Sequence, residues 1–118
     1  HFEDEPREKA VLCLEIWSEA TRNPAIGRLS AEFTADIVDR IATLLDRGVR
    51  SGDIAPAMHT RTAATLIATL ADGLFVRRAV LPDFDPAREI PPVLALVGAI
   101  VSGAVPSCCP DLPTESTP

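Results

Sequence analysis

Residues 60–80, TRTAATLIATLADGLFVRRAV, decide the fold. Ala63, Ala64, Leu66, Ile67, Leu70, Ala71, Leu74, Phe75 and Ala79 spread around a whole helix circumference. Before Arg77 only a thin stripe of Thr62, Thr65, Thr69 and Asp72 interrupts them, at steps of three and four. A helix that is apolar on two sides has to be covered on two sides. One bundle face accounts for one of them, and the other calls for a second partner.

Working outward, the neighbouring segments are helical too. Upstream, Pro24 to Arg50 carries Ile26, Leu29, Phe33, Ile37, Ile41, Leu44 and Gly48 in one stripe. Asp36 with Arg40, and Asp46 with Arg50, stand four apart with the acid first, the favourable order. Asn23-Pro24 opens this helix, and Ser51-Gly52 closes it with the residue best suited to a left-handed terminus. A first helix follows Asp4-Glu5-Pro6, a carboxylate cap before proline, and turns Ala10, Cys13, Leu14 and Trp17 inward. Downstream, Asp85-Pro86 repeats the cap-then-proline start. Pro91-Pro92 is expected to break that segment, so the main fourth helix is placed at about Pro91–Ser102. The fold class is therefore all-α, a helical bundle of about four helices.

Composition sets the limits of function. Of 118 residues 47% are hydrophobic but only 4% aromatic, so Ala, Leu, Ile and Val must build the core. The net charge is −6, with 11 acidic and 7 basic residues in 1–58 and 6 and 4 in 59–118. Neither half offers the basic face that binding phosphates requires, which excludes direct nucleic-acid binding by these residues. Residues 1–5 read as a leader, 6–103 as the domain and the proline-rich 104–118 as a flexible tail. The apolar run Ile90–Val101 is too short to span a bilayer. Three cysteines without C-x-x-C spacing give no disulfide framework, and a reducing cytoplasm is expected.

Chemical sites are weakly signalled. His59 is read as a helix-start residue, because no partner motif accompanies it. No Glu-x-x-His pair exists for a di-iron bundle. Glu15 and Glu19, with Arg22 one turn on, read as a solvated face, and Arg77-Arg78 as complements to a helix dipole. Cys108-Cys109 lacks a third soft ligand nearby. No enzyme, metal or cofactor is expected.

The fourth helix, placed at Pro91–Ser102, has no charged residue, and Gly98 and Ala99 permit another helix to approach closely. Exposing even four Leu, Ile or Val side chains would forgo about 1.5–3 kcal/mol each, against a total stability of roughly 5–15 kcal/mol. Pairing of the last two helices with their own copies resolves this as a homodimer. The residues expected at that interface are Ile67, Leu70, Leu74, Leu96, Ala99 and Ile100.

Three strings, LCLEIWSEATRNP (Leu12–Pro24), DRGVRSGDIAP (Asp46–Pro56) and AATLIATLADGLFVRRAV (Ala63–Val80), resemble the C-terminal half of tetracycline-repressor-type (TetR/AcrR) regulators. They stand in that family's order and spacing, over roughly residues 8–102. The resemblance implies a domain that dimerises through its last two helices and binds a small, largely apolar effector. DNA would be met only through an N-terminal helix-turn-helix domain that is not in this chain. Ala and Arg richness with a single Lys, Lys9, points to a GC-rich bacterial genome. Cys13 and Trp17 with Phe33 and Ile37 are candidates to line the effector cavity, and Thr65, Thr69 and Asp72 to supply its polar groups. A bundle core with a solvent-facing threonine stripe would read the same way. A stand-alone helical module that binds a protein partner is the alternative to the regulator.

Overall fold

The structure, a computed structural model, describes residues 4–107, and side chains from Arg7 onward. Four helices carry these residues: α1 (Asp4–Ala20), α2 (Pro24–Ser51), α3 (Thr60–Val80) and α4 (Pro86–Ser102). The expected cap of α1 and the Cys108-Cys109 pair lie outside the described side chains.

Local chemistry sets the boundaries. The Asn23 side chain accepts hydrogen bonds from the N–H groups of Ala25 and Ile26, with Pro24 next in line. Gly52 closes α2 in the left-handed conformation, φ 82°. His59 caps α3, its Nδ1 accepting from the Arg61 N–H at 3.2 Å. Asp85 caps α4 by accepting from the Ala87 N–H, and Gly103, φ 87°, ends it.

The fourth helix starts earlier than its prolines suggest. Pro91 and Pro92 lie inside a continuous helix from Pro86, where each removes one backbone donor. Both prolines are exposed, as are Ala87 and Arg88, whose carbonyls lose those donors. Water can reach these groups, and the cap at Asp85 starts the helix first.

Helix α3 packs extensively on both α1 and α2, and α4 lies against α3 over a smaller area. Arg7 of α1 donates to the Ala79 carbonyl at 3.3 Å, which sets the start of α1 beside the end of α3. Thr60 donates to Asp46 at 2.7 Å and Arg61 to Asp39 at 2.6 Å, so α2 also runs against α3. Asp46 thus joins α2 to the start of α3, and the expected pair with Arg50 is not formed.

Alanine dominates the core. Ala10, Ala42, Ala63, Ala64 and Ala79 are buried, joined by Val38, Leu45 and Ile100. Side chains this small let helix backbones approach, but they leave the larger residues at the margins. The buried face of α2 is displaced from the stripe read in the sequence. Val38, Ala42 and Leu45, each one position beyond Ile37, Ile41 and Leu44, are buried, whereas Leu29, Phe33 and Leu44 of the stripe are more than 60% exposed. Helix α2 is 28 residues, about 42 Å, and α1 only 17, about 25 Å, so one partner cannot cover its whole stripe.

The two ends of α4 are secured differently. Arg77 bridges to Glu89 at 2.9 Å near its start. Near its end, the Ala55 N–H donates to the Val101 carbonyl at 2.9 Å. A β-carbon on Gly103 would stand 2.6 Å from the Ala55 oxygen, while one on Gly52 would meet nothing within 4 Å. Left-handed backbone costs a side chain about 1–2 kcal/mol at either place. Gly103→Ala is therefore expected to destabilise the fold more than Gly52→Ala in urea melts. Equal losses would mean that the Ala55 approach relaxes freely.

Candidate functional site

A groove of about 540 Å³ lies between α1 and α2, within the range of small-molecule sites. Helical geometry arranges its walls. On α1, Cys13 and Trp17 stand one turn apart on one edge, Glu15 and Glu19 one turn apart on the other, with Ile16 between them. Ile26, Leu29, Ser30, Phe33 and Thr34 on α2 form the facing wall. The lining is largely apolar, with hydroxyls from Ser30 and Thr34 and the carboxylates on the rim.

Of the residues expected from sequence, the structure brings Cys13, Trp17 and Phe33 together here. Ile37, one turn beyond Phe33, does not line this groove. Thr65 and Thr69 are exposed on α3, and their hydroxyls donate to the carbonyls of Arg61 and Thr65 within their own helix. Thr65 lies instead beside His59, Arg61 and Thr62. Asp72 is on α3 as well, away from the groove lining. The groove therefore draws its polar groups from α1 and α2, and the α3 stripe of Thr65, Thr69 and Asp72 contributes none.

The groove is also lined by Glu15, Ile16, Glu19, Ile26, Leu29, Ser30 and Thr34, which are not among the candidates from sequence. A signal for them existed: Ile26, Ser30, Phe33 and Thr34 recur at steps of three and four, so hydroxyls and apolar groups share one face. Glu19 bridges to Arg22 at 2.8 Å on the exposed side, as a solvated face would.

A smaller depression of about 220 Å³ separates α3 from the start of α4, lined by Ala71, Leu74, Phe75, Arg78, Phe84 and Ile90. The Arg78 guanidinium lies 5.3 Å from the Phe84 ring centre and closes one side. Among the expected interface residues, Ile100 is only 3% exposed and belongs to the core of a single chain. Ile67 and Leu70 pack partly against that core. Leu74 lines the smaller depression, whereas Leu96 is exposed. The outward apolar surface also includes Leu66, Phe75 and Val76 of α3 and Leu94 of α4.

No group of three His, Cys, Asp or Glu side chains among the described residues could hold a metal ion. No helix among them is long and apolar enough to cross a membrane. A family model described as BetI-type transcriptional repressor, C-terminal, matches residues 1–102. No curated protein and no solved structure matches the chain.

Partial burial pushes the Asp72 carboxyl above the usual carboxylate range, because desolvation disfavours its charged form. The folded chain therefore holds this proton to higher pH than the unfolded chain. Its stabilising contribution is present below the unfolded value, 3.8, and is lost as pH rises through the folded one. Asp72→Asn is expected to raise the melting temperature at neutral pH and to change it little below that value. A loss of stability at neutral pH would mean that the carboxylate has a partner worth more than its desolvation.

Proposed function

Because the chain belongs to the BetI-type transcriptional repressor C-terminal family, we propose that it binds a small, largely apolar effector in the α1–α2 groove and forms the homodimer that positions two DNA-reading heads. The groove is the observation that carries this reading: Cys13, Trp17 and Phe33 meet around about 540 Å³ of largely apolar space. Its two walls rest on one helix, since α1 and α2 both pack on α3. An occupant that parts α1 from α2 changes how each sits on α3. A dimer face on α3 and α4 would transmit that change to the partner copy. The effector then acts by preferring one of two dimer geometries, and it shifts their populations by its difference in affinity.

The exposed apolar residues Leu66, Phe75 and Val76 on α3, with Leu94 and Leu96 on α4, support the dimer. So do Gly73 and Gly98, where a β-carbon would meet nothing within 4 Å and a second backbone can come close. Light scattering at micromolar concentration is expected to give twice the chain mass of 12.6 kDa. Gly98→Leu should favour the helix by about 0.5–1 kcal/mol, yet it puts a branched side chain where the partner helix would approach. It is therefore expected to yield a helical monomer. A variant that stays dimeric and only melts higher would remove α4 from the interface.

Trp17 is the only tryptophan, so its emission reports on the groove alone. An apolar compound that fills the groove is expected to shift or quench this emission saturably. It should also add about 2.7 kcal/mol of stability at a hundred times its dissociation constant. Compounds that stabilise the fold and never alter Trp17 emission would move the site elsewhere. A screen without a stabilising compound would favour a protein partner.

A further inference from the structure

We propose that the depression between α3 and the start of α4 is a second ligand site, separate from the α1–α2 groove, and that it takes small carboxylates with a flat apolar body. Its place in the fold marks it as a gap in the packing. Ala64, Ala68, Ala71, Phe75 and Ala79 follow one another on α3 at steps of three and four, and so share one face. Ala64 and Ala79 are buried at the two ends of this run, and Ala68 is half-buried. Between them Ala71 is exposed and Phe75 is 38% exposed. A face buried at both ends is thus left open in its middle, and the opening is the depression of about 220 Å³. Apolar side chains around a gap lack partner atoms on one side, so an apolar occupant restores contacts there. The volume bounds its size. A cavity of about 150 Å³ holds benzene, and sites for drug-sized molecules begin at about 300 Å³. One ring with a single substituent lies between these limits.

The charge of the occupant follows from the lining. Arg78 is the one charged residue among the six. Its guanidinium lies 5.3 Å from the centre of the Phe84 ring, so an aromatic face already restricts where it can move. A guanidinium carries five N–H donors in one plane and can receive a carboxylate edge-on in addition to an acceptor it already serves. The neighbouring acids do not compete from within the depression. Glu89 is bridged to Arg77 at 2.9 Å and to Arg88 at 3.4 Å, and Asp85 caps α4 through the Ala87 N–H at 3.1 Å. Asp83 is exposed, and none of the three lines the depression. A cation of the same shape would therefore meet Arg78 with no carboxylate in the lining to offset it. Phe75 and Phe84, with Leu74 and Ile90, leave the body of the occupant an apolar wall on which a ring can lie offset or edge-on. Such an occupant touches α3 and α4 together and adds contacts where α4 is held over the smaller area.

The test uses three probes of nearly one shape and different charge: benzoate, benzamide and benzamidinium. Each is titrated against the chain while the methyl resonances of Ala71, Leu74 and Ile90 and the emission of Trp17 are followed. Benzoate is expected to shift those resonances saturably and to bind about tenfold or more tighter than benzamidinium, with benzamide between them. Added salt should narrow the gap. Trp17 does not line the depression and should keep its emission. Arg78→Met removes the charge and keeps an apolar stem, and is expected to weaken benzoate about tenfold while benzamide barely changes. Arg40→Gln removes an exposed cation of α2 that does not line the depression and should leave all three probes as they were. Ala71→Leu puts an apolar side chain into the depression from an exposed helix position, and should weaken benzoate and benzamide alike. Circular dichroism establishes that each variant is folded, and Ala71→Leu carries the test should Arg78→Met not fold.

If the three probes bind alike, or a folded Arg78→Met leaves benzoate unchanged, selection of carboxylates by Arg78 is overturned. Benzoate that alters Trp17 emission and not these methyl resonances sits in the α1–α2 groove, and the second site is overturned. Methyl resonances that no probe moves overturn the site altogether, while the reading of the α1–α2 groove stands untouched.

Discussion

The close approach of α1 and α2 to a single helix of small side chains is the constraint on which the rest depends. Ala63 and Ala64 are fully buried on α3, and Ala10 on α1. A methyl group at each point lets two backbones come near without leaving a void, which larger side chains would prevent. The consequence is a core with little bulk. No large side chain among the described residues is fully buried. The leucines and phenylalanines that would fill the centre of another bundle stand at its margins here, where they line grooves or face outward. Grooved surface and core are thus two results of one choice of residues.

Much of the frame was legible because helix ends are specified locally. Asn23-Pro24, Asp85-Pro86 and the glycine at 52 each satisfy backbone groups of their own turn, and all three act in the structure as their chemistry requires. The misread start of α4 has the same origin. A proline pair reads as a stop, but Asp85 starts the helix before it and the lost donors leave carbonyls at exposed residues. Long-range pairing was less legible. Nothing within α2 reveals that Asp46 accepts from Thr60 fourteen residues away and is not paired with Arg50.

The candidate site divides along the same line. Cys13 and Trp17 on α1, and Phe33 on α2, belong to apolar arcs of consecutive helices, and a short connection places those arcs side by side. Thr65, Thr69 and Asp72 read equally as polar groups of an apolar cavity or as a solvent-facing stripe, because periodicity gives only the face of a helix and never what that face meets. In the structure the alanines of α3 meet the neighbouring helices, and the threonines lie on the exposed side with their hydroxyls bonded within α3. Glu15 and Glu19 carry the reverse lesson. A carboxylate pair that reads as solvated can also form the rim of a groove, because a rim is wetted on one side and walled on the other.

The two attachments of α4 differ in kind, and that difference gives the helix a direction of compliance. At its start the link is an ion pair whose arginine is half in water, a link that dissolved ions weaken. At its end the link is a main-chain hydrogen bond from Ala55 to Val101, beside a glycine turn that sits against the same loop. Ionic strength hardly touches a neutral bond of this sort. Raising it weakens one clamp and spares the other, so the hold on α4 becomes lopsided: the Pro86 end depends on dissolved ions, and the Val101 end, beneath the loop between α2 and α3, does not.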